Sequence, residues 1–100
     1  MPAYPSKTNK ELIETISRLK NKQEVAAFLR DLLTQAEIEE FSQRFQIAKL
    51  LWTTNKPYVE IAGKVNTSTT TVTRVANWLY KEKWQGYAVV LERIFGKSKR

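Results

Sequence analysis

The chain has 100 residues, no cysteine and no histidine, and a formal net charge of +7 at pH 7. The missing residue types exclude disulfides, Cys/His zinc sites, thiol nucleophiles and imidazole bases, so we expect neither an enzyme nor a bound cofactor or metal. No apolar run approaches the roughly 20 residues that span a bilayer, and no signal-peptide segment is present. The composition therefore predicts one small cytoplasmic domain without membrane contact.

The two ends of the chain differ from the part between them. Residues 1–6 contain two prolines and are expected to form a flexible leader, and residues 97–100 a mobile basic tail. Between them, apolar residues recur at helical spacing, which predicts a single helical domain over residues 7–96.

Two short helices are predicted first. Thr8, with Glu11 three residues later, has the pattern of a capping box and predicts a helix over about 9–20. A polar break at 21–22 then separates it from a second helix, which is predicted to end near Leu32.

A longer third helix is predicted to follow. Thr34 and Glu37 form a second capping-box pattern, and the helical spacing continues to about Trp52. Apolar residues alternate at intervals of three and four, which predicts a wide buried stripe. The stripe consists of Ile38, Phe41, Phe45, Ala48 and Trp52.

Residues 57–80 have the pattern of two short helices that cross at a tight turn, a helix-turn-helix. Asn66 lies where the chain must reverse, and Asn adopts left-handed geometry at low cost. Thr67 or Ser68 can cap the second helix. A turn near 85–86 leads to a sixth and last helix. The residues predicted to face inward in the motif are Ile61, Ala62, Val65, Val72 and Val75.

The motif lies in the basic half of the chain. Residues 51–100 carry nine Lys or Arg against three acids, whereas residues 1–50 carry eight against seven. Between Ile61 and Lys81 there is no carboxylate that would repel a polyanion. The second helix presents a polar face whose residue types hydrogen-bond phosphates and base edges, which predicts double-stranded DNA as the partner. That face consists of Thr69, Thr70, Thr73, Arg74 and Asn77.

Four segments of the chain together carry a resemblance to a known family. They are Leu33-Thr34 followed by Glu37, residues 43–51, residues 71–74, and residues 91–94. With these segments the chain resembles the Trp repressor family, and most closely its Trp-repressor-like branch of short bacterial proteins, over about residues 8–95. The resemblance implies an all-α fold of about six helices, an intertwined homodimer, and DNA recognition by two symmetry-related helix-turn-helix units.

The resemblance places the DNA-reading positions of the family at the start of the second motif helix. These early positions enter the major groove, while lysines beside the first helix are suited to phosphate. A simpler alternative is that the hydroxyls only cap and cover the helix and that the lysines only solubilise it. The predicted DNA-binding residues are Lys56, Lys64, Ser68, Thr69, Thr70, Thr71, Thr73, Arg74 and Asn77.

The resemblance also implies a corepressor pocket, in which two arginines corresponding to Arg44 and Arg74 sandwich the indole of tryptophan, with a threonine at Thr34. At Val75 the tryptophan-binding members have glycine, and at Trp78 they have serine. Both changes make the pocket smaller, so we do not expect tryptophan to bind, although an unidentified small-molecule effector stays open.

Two interpretations of the arginines remain. In one, a small anion or the indole of Trp78 occupies the cleft between them. In the other, Arg44 pairs with Glu40 one turn earlier and Arg74 contacts phosphate. At the level of function, the leading prediction is a homodimeric transcriptional regulator, a repressor, that binds specific sequences of double-stranded DNA through its helix-turn-helix. The alternative is an adaptor of the transcription machinery that keeps the fold without specific DNA binding.

Overall fold

A computed structural model describes residues 3–100, and it contains six α-helices and no strand in that range. This confirms the predicted all-α fold. No helix of the described part is both long enough and apolar enough to cross a membrane. The helices are α1 (Lys7–Ser17), α2 (Lys22–Leu32), α3 (Gln35–Thr53), α4 (Tyr58–Lys64), α5 (Thr69–Tyr80) and α6 (Gly86–Phe95).

Contacts among the residues divide the chain into two units, one ending at Ile38 and one covering Glu39–Arg100. The first unit holds α1, α2 and the first turn of α3. The second holds the rest of α3 together with α4, α5 and α6. The single domain expected over residues 7–96 stays a prediction.

Ser6 caps α1, and the predicted cap at Thr8 was wrong. The Ser6 hydroxyl accepts a hydrogen bond from the Asn9 amide at 3.2 Å, and the Asn9 side chain accepts one from the Ser6 amide at 3.0 Å. Asparagine thus takes the place that Glu or Gln usually has in a capping box. Because the cap lies earlier, α1 begins earlier than predicted, at Lys7, and it ends at Ser17 instead of near residue 20. The predicted leader over residues 1–6 lies partly outside the described residues.

Neither α1 nor α2 contains a buried residue, although both are amphipathic. Asn21 caps α2 by accepting from the Glu24 amide at 2.9 Å, and the helix ends at Leu32 as predicted. Each helix keeps its apolar face uncovered. The exposed apolar side chains are Leu12, Ile13, Ile16, Val25, Leu29 and Leu32.

The capping box predicted for α3 is confirmed. The Thr34 hydroxyl accepts from the Glu37 amide at 3.1 Å, and the Thr34 amide donates to the Glu37 carboxylate at 2.8 Å. The hydrogen bond from the Thr34 backbone amide, and after it one from the Thr34 hydroxyl, hold the pKa of the Glu37 carboxyl below its usual value of 4.5.

The core lies in the second unit, and it includes part of the predicted α3 stripe. Ala48 and Trp52 are buried and Phe45 packs partly against the core, whereas Phe41 is 43 % exposed. Ile47 and Leu51, which the predicted stripe omitted, are fully buried, because a helix with apolar residues on adjacent faces does not show which face will be covered. The buried residues are Ile47, Ala48, Leu51, Trp52, Ile61, Ala62, Val72, Val75, Ala76, Leu79 and Leu91.

Helices α4 and α5 form the predicted helix-turn-helix. Asn66 has the left-handed φ of 56° that the sharp reversal requires. The Thr67 amide donates to the Ala62 carbonyl at 2.9 Å, and the Ser68 hydroxyl caps α5 by accepting from the Thr71 amide at 3.2 Å. Of the residues predicted to face inward, Val65 is partly buried and the others are buried.

The chain after α6 folds back, in contrast to the mobile tail predicted for residues 97–100. Gln85 has a φ of 54° in the turn before α6, as the predicted turn requires. Beyond α6, the Trp52 indole donates to the Gly96 carbonyl at 2.7 Å, and the Lys99 amide donates to the Trp52 carbonyl at 2.9 Å. Composition indicated a charged end but carried no information on these backbone partners.

Candidate nucleic-acid interface

One face of α5 packs on the core and the other is open. Val72, Val75, Ala76 and Leu79 are buried, so the helix can be held by packing despite its threonine-rich start, which lowers its intrinsic helix propensity. The opposite face is polar and presents a cationic side chain without any acid. Its exposed residues are Thr69, Thr70, Thr73, Arg74 and Asn77.

The hydroxyls at the start of α5 differ in what they already bind. The Thr73 hydroxyl donates to the Thr69 carbonyl at 3.0 Å, and the hydroxyls of Thr71 and Ser68 lie 3.1 Å apart. These three side chains therefore make hydrogen bonds within α5 or its cap, as expected if the hydroxyls only cap and cover the helix. Their oxygens can still accept further hydrogen bonds. Thr70 is exposed and makes no side-chain hydrogen bond within residues 3–100, so its hydroxyl is available to a ligand.

The predicted lysines occupy different electrostatic settings. The Lys56 ammonium lies 3.3 Å from the Glu60 carboxylate, and both side chains are partly solvated. Such a pair contributes about 0–1 kcal/mol, so a phosphate can compete for the lysine. Lys64 is exposed but borders an open groove that α3 lines with Glu39 and Glu40. Those carboxylates reduce the attraction of Lys64 for a polyanion.

Arg44 contacts two aromatic rings. Its guanidinium carbon is 5.3 Å from the ring centroid of Phe41 and 5.1 Å from that of Trp78. The same guanidinium donates to the Glu40 carboxylate at 2.7 Å. Both contacts named for Arg44 in the two interpretations, the indole of Trp78 and the acid one turn earlier, therefore occur together.

Arg44 and Arg74 border a narrow cleft between α3 and α5. Its volume is about 150 Å³, below the roughly 300–1,000 Å³ of ordinary ligand sites. Val75 is fully buried within the core beside it. Thr34, the fifth predicted pocket residue, lies in the first unit and caps α3. The cleft is lined by Glu40, Gln43, Arg44, Thr71, Arg74, Val75 and Trp78.

Residues 7–94 match the sequence pattern of the family described as Trp repressor protein. The chain belongs to the Trp repressor family. This is a family of DNA-binding regulators, and membership confirms the resemblance found in the sequence.

Solved structures of two bacterial proteins share the Trp repressor fold with this chain. A TrpR-like protein from Eubacterium eligens is 35% identical, with a TM-score of 0.80, and the match covers 90% of this chain and 91% of that one. A candidate Trp repressor from Staphylococcus aureus is 31% identical, with a TM-score of 0.81, over 93% of this chain and 91% of the other. Among curated proteins, none matches the chain.

Tyr87 on α6 lies near Arg44, a proximity that was not predicted from the sequence. It is partly buried against the core. Burial raises the pKa of its phenol above 10.0, and the positive charge of nearby Arg44 opposes that rise. In the sequence Tyr87 is one of several apolar residues of the last helix, and no local signal distinguishes it.

Proposed function

We propose that the protein is a sequence-specific, double-stranded DNA-binding regulator of transcription, a repressor, that acts in the cytoplasm as a homodimer and without tryptophan. The observation that carries this proposal is the exposed polar face of α5. The polar face lies opposite the buried face of the same helix. The sequence from Ile61 to Lys81 contains no carboxylate that would repel DNA.

Base reading is assigned to the first two turns of α5. In a helix-turn-helix the early residues of the second helix enter the major groove. The exposed hydroxyl of Thr70 can donate or accept there, and its methyl group can meet a thymine methyl. Arg74 is exposed on the same face and carries a charge suited to a phosphate. Ser68, Thr69, Thr71, Thr73 and Asn77 complete the proposed contact set, with Lys56 and Lys64 as phosphate contacts at its edge.

The homodimer is supported by the apolar faces that the single chain leaves uncovered. Helices α1 and α2 bury none of their residues, yet Leu12, Ile16 and Leu29 lie on amphipathic surfaces. Chains of about 100 residues bury a limited fraction of their apolar surface alone, and a second copy would cover such faces. A two-fold dimer would present two copies of α5 to half-sites about one helical turn apart.

Independence from tryptophan is supported by how the cleft is filled. Trp78 already offers its indole face to Arg44 at 5.1 Å. Val75 is fully buried and cannot move aside without disturbing the core. A free tryptophan would therefore have to displace packed side chains, which costs about 1–3 kcal/mol.

Selection of bound duplexes from a random DNA pool tests the proposal directly. We expect enrichment of a sequence with two-fold symmetry, bound without added tryptophan. The logarithm of its association constant should fall linearly with the logarithm of the salt concentration, with a slope of about 0.9 per neutralised phosphate. The adaptor alternative would instead be favoured by two results together. No DNA sequence would be enriched, and the chain would bind a protein of the transcription machinery with an affinity that does not change with salt.

A further inference from the structure

Residues 96–100, here called the C-terminal strap, run across the corner where α3 ends. The Trp52 indole donates to the Gly96 carbonyl at 2.7 Å, while the Trp52 carbonyl accepts from the Lys99 amide at 2.9 Å. One residue of α3 is thus held by both ends of the strap. This pairing satisfies the Trp52 carbonyl, one of the last four of α3, which have no partner within a helix.

Arg100 extends this connection from α3 to α4. Its Nε donates to the Leu51 carbonyl at 2.8 Å, and a second guanidinium nitrogen donates to the Lys56 carbonyl. Its guanidinium carbon lies 6.0 Å from the ring centroid of Tyr58, the first residue of α4. One planar fork therefore joins the last turn of α3, the linker, and the start of the first motif helix.

The same corner receives the end of the second motif helix. The hydroxyl of Tyr80, the last residue of α5, lies 3.4 Å from the Leu51 carbonyl and 3.4 Å from the Ser98 hydroxyl. The strap consequently contacts both helices of the motif at the ends remote from their connecting turn.

Helix α4 needs external support for its direction. It has seven residues, and its N-cap, Pro57, provides no side-chain hydrogen bond. A helix of this length is not stable by itself, so its orientation depends on tertiary contacts. Arg100 is a contact of this kind because it bonds the Lys56 carbonyl immediately before that cap.

We propose that the C-terminal strap positions the helix-turn-helix, with Arg100 fixing the direction in which α4 leaves α3. Arg100 is a positioning residue that acts through the carbonyls of Leu51 and Lys56, not through a contact with DNA. The consequence for DNA rests on the proposed function, whereas the consequence for α4 does not.

The test compares Arg100→Ala and Arg100→Lys with Lys97→Ala, measured on the full chain. Arg100→Lys keeps the charge but loses the planar fork. Lys97→Ala is the matched control because Lys97 is an exposed cation of the same strap whose side chain makes no hydrogen bond or ion pair within residues 3–100. The first readout is hydrogen exchange, by NMR, of the Trp52 indole and of the Ile61 amide, which forms the first bond of α4 to the Pro57 carbonyl.

Both Arg100 variants should accelerate exchange at these two groups about tenfold, while Lys97→Ala leaves it unchanged. Affinity for the selected DNA should fall about fivefold in both Arg100 variants, with an unaltered salt slope. Unchanged exchange in Arg100→Ala would overturn the proposal. The proposal would also be overturned if Arg100→Lys bound DNA with normal affinity and Arg100→Ala lowered the salt slope by about one. That pair of results would indicate a direct contact between Arg100 and a phosphate. If the unmodified protein binds no DNA, the proposed function fails and exchange alone decides the role of the strap.

Discussion

The guanidinium carbon of Arg44 on α3 lies 5.1 Å from the ring centroid of Trp78 on α5. The chain thus supplies, from α5, the aromatic ring that this arginine contacts. The same guanidinium donates a hydrogen bond to the Glu40 carboxylate at 2.7 Å. The contact ties α5 to α3 without any added molecule.

The first prediction concerns the strength of that contact. A double-mutant cycle with Arg44→Gln and Trp78→Leu should give a coupling of about 0.5–2 kcal/mol in denaturant unfolding. Glu40→Gln serves as the control and should cost at most about 1 kcal/mol, because the ion pair is exposed. Additive effects of the two changes would show that the stack contributes nothing to stability.

The second prediction concerns tryptophan. Calorimetric titration of the protein, with and without DNA, should show no saturable binding of L-tryptophan below roughly 100 μM, since Val75 and Trp78 leave a cleft of only about 150 Å³. The double change Val75→Gly with Trp78→Ser should create such binding if Arg44 and Arg74 can still flank a ring. Tight binding to the unmodified chain that also strengthens the DNA complex would refute the steric argument.

The third prediction separates base reading from phosphate binding. Thr70→Ala should relax sequence preference at one position of each half-site, at a cost of about 1 kcal/mol. Arg74→Ala should weaken binding to every sequence and lower the salt slope by about one. Arg93→Ala removes an equally exposed charge from α6 and is the control, with no change in preference expected. Equal losses on selected and random DNA for Thr70→Ala would mean that it reads no base.

Local signals in the sequence predicted most of the fold. The capping box of Thr34 and Glu37, the reversal at Asn66, and the inward residues of the motif are all short-range patterns with a direct physical cause. The cap of α1 was missed because two overlapping capping patterns compete there, and the sequence does not rank them. Contacts between distant residues, such as that of Arg100 with Leu51, left no local trace at all.

The site was predictable to a similar extent. The exposed face of α5 follows from helical periodicity, and Arg44, Arg74, Val75 and Trp78 do line one cleft. The role of Phe41 as the second ring against Arg44 could not be predicted, because an aromatic residue at helical spacing is more often part of the core.

The fourth prediction concerns assembly. Sedimentation at micromolar concentration should give a dimer. Leu12→Glu or Leu29→Glu should shift it towards monomer, because each places a charge on an apolar face of α1 or α2 that the second copy would cover. Val59→Glu provides the control, since Val59 is an exposed apolar residue of α4 outside those faces. A folded monomer of the unmodified chain would remove the support for paired half-sites.

The fifth prediction concerns acid stability. The pKa of Glu37 in the folded chain is lowered from 4.5. The stabilisation of the fold by its ionised carboxylate is therefore complete above pH 4.5 and is lost as the pH falls through the lowered pKa. Thr34→Ala should raise this pKa only part of the way, since the backbone amide still donates, and Thr34→Ser should leave it low. NMR titration of the Glu37 carboxyl carbon measures this pKa in the unmodified chain and in both variants. A pKa at or above 4.5 in the unmodified chain would contradict the capping geometry.

The absence of buried residues in α1 and α2 bears on how such a regulator would respond to its own abundance. If a second copy supplies the missing cover, folding and pairing become one event, and the amount of paired protein rises with the square of the free-chain concentration at low levels. The fraction of DNA sites that are bound would then rise more than proportionally with the concentration of the protein, which its synthesis and degradation set. A chain that carries its own aromatic ring in the cleft would be governed by its copy number, and not by the supply of a metabolite.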